Sequence, residues 1–91
     1  MTIPKLDKQL YILRGLNNDI RQSILLLLEK KAMTVDDILS VTKLNKVTLR
    51  EHLTILRDIG VIGAHPNGSN VKYVLKENRL KEIIDWVQKI K

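Results

Sequence analysis

The residues best suited to chemistry lie in segment 46–54, where Lys46, Val47, Arg50, Glu51 and Thr54 share one face of a predicted helix. An arginine can donate two hydrogen bonds to guanine, a valine can pack on a thymine methyl group, and a carboxylate can accept from cytosine. Glu51 can instead orient Arg50. The alternative is that these side chains form an ordinary solvated helix face. The pattern predicts base or phosphate contacts, most clearly for Arg50.

Further basic and polar side chains around this segment suit phosphate contacts. Lys43 and Arg57 flank the helix, although Arg57 can equally pair with a nearby carboxylate. A second group surrounds Gly68, which permits close approach; the alternative there is a plain hairpin turn. The predicted DNA-contacting residues are Lys43, Asn45, Lys46, Val47, Thr48, Arg50, Glu51, Thr54, Arg57, Asn67, Ser69, Asn70 and Lys72.

Catalytic and metal-binding patterns are weak in this sequence. The serines have no nucleophile-elbow context, and no glycine-rich phosphate loop is present. The chain has two histidines, His52 and His65, and no cysteine, so we expect no metal and no cofactor. We interpret His52 as a hydrogen-bonded structural residue first and as a contact to the DNA backbone second. We expect no enzymatic activity.

Length and charge narrow the class further. The chain has 91 residues, enough for one domain over 1–91, and a net charge of +6 from 16 Lys and Arg against 10 Asp and Glu. This balance favours a polyanionic partner, most commonly nucleic acid, although many small proteins are lysine-rich for solubility alone. The longest apolar run is 24–28, too short to span a membrane. The first residues lack a signal-peptide pattern, so we expect a cytoplasmic protein.

The hydrophobic periodicity is helical with one interruption. The helix over 19–31 is apolar on all sides, so we expect it to be covered on more than one side. Asn67-Gly68 between two β-forming segments indicates a hairpin with its turn over 66–70. The predicted helices are 6–16, 19–31, 34–42, 46–59 and 78–90, and the predicted strands are 61–65 and 71–75.

The order of these elements is that of a winged helix-turn-helix. The predicted fold is mainly α with a small β-hairpin (α+β), with about five helices and a two-stranded wing. In this arrangement helix 34–42 lies across the DNA backbone, helix 46–59 enters the major groove, and hairpin 61–75 reaches toward the phosphates. The predicted partner is therefore double-stranded DNA.

Three motifs between residues 18 and 73 resemble those of the ArsR-type (arsenical-resistance repressor-like) regulators. Segment 19–25 is similar to the family's second helix, x-x-x-R-x-x-I-L. Segment 48–62 is similar to its recognition helix, which typically ends H-L-x-x-L-R-x-x-G-L-V. Segment 68–73 lies where the family has its wing glycine and a strand ending in Tyr. The resemblance implies a DNA-binding transcriptional regulator.

The chain departs from the family's metal sensors at two places. Their cysteine motif begins the third helix, where this chain has Thr-Val-Asp-Asp-Ile at 34–38. Other members bind zinc through Asp and His pairs on the last helix, where this chain has Asp85 and no His. The resemblance therefore implies a member that does not sense metal, and a small-molecule effector is not identified.

The terminal helices, 6–16 and 78–90, carry more apolar surface than one contact each would cover. On the last helix, one apolar line follows Leu80 and a second follows Ile83, so we expect one line to pack on the domain and the other on a second copy. The alternative is that the wide stripe wraps the small core. The predicted homodimer contacts are Leu6, Leu10, Leu13, Ile83, Trp86 and Ile90.

Together these features predict a sequence-specific regulator, acting as a repressor, that binds a palindromic operator as a dimer. Two alternatives stay open. A DNA-coating architectural or segregation protein would bind with little sequence preference. A winged-helix module for protein assembly would tolerate loss of Lys46, Arg50 and the wing.

Overall fold

The computed structural model describes residues 4–89, with side chains from residue 8 onward. Within that range the chain forms five helices and three strands, and the predicted winged helix-turn-helix class is confirmed. The elements in chain order are α1 (Pro4–Leu16), α2 (Asp19–Lys30), β1 (Met33–Thr34), α3 (Val35–Thr42), α4 (Lys46–Asp58), β2 (Ile62–Asn67), β3 (Asn70–Leu75) and α5 (Glu77–Lys89).

Side-chain caps set where the helices begin. The Asn18 side chain accepts a hydrogen bond from the backbone N–H of Arg21 at the start of α2. Thr34 and Asp37 form a reciprocal capping box at the start of α3, as the sequence predicted. Each cap satisfies backbone donors that the first helical turn would otherwise leave unpaired.

The sheet has three antiparallel strands in the order β1-β3-β2, so the prediction of a two-stranded wing was incomplete. The additional strand, β1, pairs Met33 with Tyr73 and Thr34 with Lys72. It joins the wing to the residue that caps α3. The wing is therefore held against the helix-turn-helix by a backbone ladder as well as by side-chain packing.

The hairpin is longer and its turn tighter than predicted. β2 and β3 pair as far as Asn67 and Asn70, which leaves Gly68 and Ser69 as a two-residue turn instead of a five-residue one. Gly68 has φ +66°, which suits a type II′ turn with glycine at its first central position. Such a turn matches the twist of the strands, so pairing continues to the tip.

The core receives side chains from all five helices and from the base of the sheet. Leu49, Leu53 and Leu56 face into it from α4, as the sequence predicted. The expectation that α2 is covered on more than one side was wrong for Leu26, which is 63% exposed. A run of five apolar residues exceeds the width of the buried face of a helix, so one member points to solvent.

Candidate nucleic-acid interface

The N-terminal end of α4 is set by Lys43 and Asn45. Lys43 adopts a left-handed conformation, φ 57°, after α3, and its backbone N–H donates to the carbonyl of Leu39 at 3.1 Å. The Asn45 Oδ1 then accepts from the backbone N–H groups of Val47 and Thr48 at 2.8 and 3.4 Å. The predicted cap is confirmed, and it leaves the Asn45 amide N–H₂ as the side-chain group available to a partner.

The outward face of α4 carries most of the predicted contact residues. Lys46, Arg50 and Thr54 are exposed along one stripe, and Val47 beside them is 66% exposed. An exposed aliphatic side chain on this face suits a thymine methyl group. The Thr54 hydroxyl donates to the carbonyl of Arg50 at 2.9 Å, so its oxygen remains as an acceptor.

The remaining predicted residues of α4 differ in exposure. Glu51 lies beside Arg50 and is exposed, Thr48 is half-buried, and Arg57 is exposed in the last turn. Among the side chains of residues 8–89, the one ion pair joins Arg79 and Glu82 at 3.5 Å. The predicted pairing of Arg57 with a carboxylate is therefore not formed within that part of the chain.

Two predicted groups meet at one polar cleft of about 180 Å³ between α4, the first turn of α3 and the wing. Lys46 and Arg50 line it from α4, and Ser69 and Asn70 line it from the hairpin. The two cations outweigh the one carboxylate of the lining, Asp36, so the cleft has a net positive charge and suits an anionic backbone. Its full lining is Thr34, Val35, Asp36, Lys46, Arg50, Ser69, Asn70, Val71 and Tyr73.

Nine of the thirteen predicted contact residues do not line this cleft, and three of those nine lie outside α4 and its cap. Asn67 is exposed and pairs with Asn70 at the hairpin tip, and Lys72 is half-buried opposite Thr34. Lys43 lies in the turn before α4. Conversely, Asp36 and Tyr73 line the cleft without having been predicted as contact residues. The capping box at 34–37 was the one sequence signal that placed Asp36 at a helix start.

His52 has the structural role that the sequence predicted first. Its Nδ1 lies 3.0 Å from Nη1 of Arg21 on α2. A guanidinium only donates hydrogen bonds, so Nδ1 accepts and the imidazole carries its proton on Nε2. Burial lowers the pKa of His52, the Arg21 charge lowers it further, and Glu51 opposes both effects.

The terminal helices α1 and α5 lie side by side, with a groove of about 380 Å³ between them. Ile83, a predicted dimer contact, is 4% exposed and belongs to the core of its own chain, because α5 turns that side inward. Ile84 is exposed instead, as is Leu10, while Leu13 and Trp86 are half-buried. The side chain of Leu6 and the whole of Ile90 lie outside the described residues.

Nowhere between residues 8 and 89 do three His, Cys, Asp or Glu side chains come close enough to hold a metal ion. No helix within residues 4–89 is long and apolar enough to cross a membrane.

Comparison with known proteins agrees with this geometry. The family model described as "Bacterial regulatory protein, arsR family" matches residues 18–63. The transcriptional repressor SdpR of Bacillus subtilis (strain 168) is 30% identical over 76 residues, which are 84% of this chain and 84% of that protein. An uncharacterised HTH-type transcriptional regulator of Methanocaldococcus jannaschii is 32% identical over 87 residues, or 94% of this chain and 98% of that protein.

Among solved structures, the homodimeric winged helix-turn-helix DNA-binding domain of a possible ArsR-family regulator from Mycobacterium bovis superposes with a TM-score of 0.79. It is 26% identical, and the match covers 96% of this chain and 81% of that chain. The match includes the terminal helices as well as the helix-turn-helix and the wing.

Proposed function

Because this chain belongs to the ArsR family of bacterial regulatory proteins, we propose that it represses transcription by binding a palindromic operator as a homodimer. The family consists of transcriptional regulators with a winged helix-turn-helix DNA-binding domain. In the proposed complex, α4 enters the major groove and the β2–β3 hairpin lies along the backbone. We propose that it acts in the cytoplasm, with double-stranded DNA as its partner.

The observation that carries the proposal is the cleft shared by α4 and the wing. Lys46 and Arg50 point from α4 toward the same opening as Ser69 and Asn70. One duplex could therefore receive base contacts from Arg50 and Val47 and phosphate contacts from the wing at the same time. Lys43, exposed in the turn before α4, and Arg57, exposed in its last turn, add positive charge at the two ends of that helix.

The proposed dimer uses the exposed sides of α1 and α5. Leu10 is 43% exposed on α1 and Ile84 is 46% exposed on α5, and Leu13 and Trp86 are half-buried on the same two helices. The homodimeric state of the Mycobacterium bovis domain supports this arrangement. A two-fold dimer presents two copies of α4 to DNA, so the operator would consist of inverted half-sites about one or more helical turns apart.

Repression is proposed by analogy with SdpR, which is a transcriptional repressor. No effector site is assigned. The proposed DNA-contacting set is unchanged from the sequence prediction, with Lys46, Val47, Arg50, Ser69 and Asn70 as its centre.

The test is selection of DNA from a random-sequence duplex pool by the wild-type chain, followed by titration of the selected duplex and of random duplex. We expect an inverted repeat. We expect Arg50→Gln to weaken binding to it by about 1–3 kcal/mol for each of the two copies in the dimer, and binding to random duplex by much less. Lys30→Gln removes the same charge from the last turn of α2, outside the proposed DNA and dimer surfaces, and should leave the preference unchanged.

Other outcomes would favour other functions. Equal binding to selected and random duplex would indicate an architectural protein. Absence of binding at low salt would indicate a module for protein assembly. Equal losses for Arg50→Gln and Lys30→Gln would contradict the placement of α4 in the groove.

A further inference from the structure

One side chain, Arg21 of α2, connects the first helix to the fourth. Its Nε donates to the carbonyl of Gly15, and its Nη2 donates to the carbonyl of Arg14 at 3.3 Å. Its Nη1 donates to Nδ1 of His52 on α4 at 3.0 Å. All three nitrogens of the guanidinium thus donate hydrogen bonds, two to α1 and one to α4.

The α1 side of this junction is a helix end. Gly15 and Arg14 belong to the last turn of α1, whose carbonyls have no partner within the helix. A cation there offsets the negative end of the helix and satisfies carbonyls that would otherwise need water. Arg21 therefore stabilises the C-terminal end of α1 and also connects it to α4.

The same two helices also touch directly. Because Gly15 has no side chain, α1 packs closely against the end of α4. A Cβ atom at this position would lie 3.1 Å from Cδ1 of Ile59 and 3.4 Å from Cγ2 of Ile55. Ile59 is buried, so it has little room to move. Packing limits the separation of the helices at this point, and the Arg21–His52 hydrogen bond adds a directional contact on α4 one to two turns nearer its N-terminus.

We propose that Arg21 and His52 are positioning residues that hold the recognition helix α4 at a fixed angle to the dimerisation helix α1. The inference rests on the proposed function, in which α1 contacts the second chain and α4 contacts DNA. The angle between the two helices then sets how far apart the dimer presents its two copies of α4. The contacts of Arg21 with α1 and with His52 therefore determine which spacing of half-sites the dimer binds. Neither residue needs to touch DNA.

A positioning role affects binding to the palindrome and to a single half-site differently, whereas a direct DNA contact would affect both. One domain can dock α4 on a single half-site whatever its angle to α1, because the rest of the molecule is free to follow. Both domains can dock together only if both angles match the duplex. Loss of the hydrogen bond should therefore weaken binding to the palindrome and leave single-half-site binding nearly unchanged.

The experiment compares the wild-type chain, His52→Leu and His52→Asn on the palindrome selected by the wild type and on one of its half-sites. Leucine removes the acceptor, whereas the side-chain oxygen of asparagine can replace Nδ1. We expect His52→Leu to bind the palindrome about tenfold more weakly, the value of one hydrogen bond to a charged group, and the half-site within about twofold of wild type. His52→Asn should restore most of the affinity for the palindrome.

Varying the spacer between the half-sites tests the angle between α1 and α4 independently. Palindromes with one base pair added or removed between the half-sites should be discriminated sharply by the wild type and less sharply by His52→Leu. Arg21→Lys provides an independent variant, should His52→Leu fail to fold. Its single ammonium cannot reproduce the planar fork that reaches both α1 and α4, so it should show the same loss of discrimination.

Equal weakening on half-site and palindrome would overturn the inference, because it would indicate a DNA contact or a loss of stability. Unchanged spacing preference in both His52→Leu and Arg21→Lys would overturn it as well. Failure of the wild type to select an inverted repeat would instead contradict the proposed function, and the inference with it. The two failures are distinguished by the wild-type selection alone.

Discussion

Thr34 and Asp37 cap one helix reciprocally: Oγ1 of Thr34 accepts from the backbone N–H of Asp37 at 3.1 Å, and Oδ2 of Asp37 accepts from that of Thr34 at 3.0 Å. The hydrogen bond from the Thr34 backbone lowers the pKa of Asp37, so the carboxylate form is favoured. Thr34 is also the strand residue opposite Lys72. The start of α3 and the edge of the wing are thus fixed by the same residue.

The cap should contribute measurably to stability. We expect Thr34→Ala to lower the free energy of unfolding by about 1 kcal/mol, because it removes the acceptor for an N–H of the first turn of α3. Urea denaturation followed by the helical circular dichroism signal measures the change. Thr34→Ser keeps the hydroxyl and is the matched control, expected within about 0.5 kcal/mol of wild type. Equal losses for Ala and Ser would show that the threonine methyl, not the cap, is responsible.

The hydrogen bond between Arg21 and His52 should make stability depend on pH. Burial and the Arg21 charge lower the pKa of His52 in the folded chain below its ordinary value of 6.5. From about pH 6.5 downward the unfolded chain therefore binds more protons than the folded chain, and the free energy of unfolding falls until the pH reaches the lowered pKa. We expect the urea midpoint to decrease from pH 7 to ~5.

The variant His52→Asn isolates this contribution. It keeps an acceptor for Arg21 but cannot take up a proton, so its midpoint should decrease less over the same pH range. The carboxylates and the second histidine are common to both proteins, so they cancel in the comparison. A decrease in His52→Asn as large as that in wild type would show that His52 does not titrate in this way.

Two leucines of α2 should respond very differently to the same substitution. Leu28 is buried in the core, and Leu28→Ala should cost about 2–5 kcal/mol because it leaves a cavity. Leu26 is mostly exposed, and Leu26→Ala should cost less than about 1 kcal/mol. Urea denaturation of the two variants measures both. Similar costs would mean that the outer face of α2 is covered, as it would be if a second chain packed there.

The helices were predictable because their signals are local. Leu49, Leu53 and Leu56 repeat at helical spacing, and Asn45 and Gly60 mark the ends of that helix within the same stretch of chain. α2 shows the limit of this reasoning. Five consecutive apolar residues contain no polar position to mark a face, so the sequence could not indicate that Leu26 would be the exposed one.

Features that join distant parts of the chain were missed. β1 has two residues, and its partner Tyr73 lies on the far side of the helix-turn-helix, so no local pattern could indicate it. The polar residues of α4 and the wing were predicted separately, but their meeting at one cleft depends on how the sheet packs. Likewise, His52 was expected to be hydrogen-bonded, whereas its partner Arg21 was not identified, since 31 positions separate them.

The phosphate contact proposed for Lys46 gives the last prediction. Each phosphate that a cation neutralises changes the slope of log K against log salt by about 0.9, because counterions leave the DNA. A dimer brings two copies of Lys46 to the operator, so Lys46→Gln should reduce that slope by about 1.8. It should weaken selected and random duplex similarly, since phosphates carry no base identity. Fluorescence anisotropy over a series of salt concentrations measures both quantities.

Lys30→Gln is the matched control for this experiment. It removes the same charge from the last turn of α2, where Lys30 is exposed and does not line the cleft that Lys46 lines. If net charge alone drew the protein to DNA, the two variants would reduce the salt slope equally. If Lys46 meets a phosphate directly, the slope changes for Lys46→Gln and stays near the wild-type value for Lys30→Gln. Equal slopes would thus exclude a specific phosphate contact by Lys46, even with the operator correctly identified.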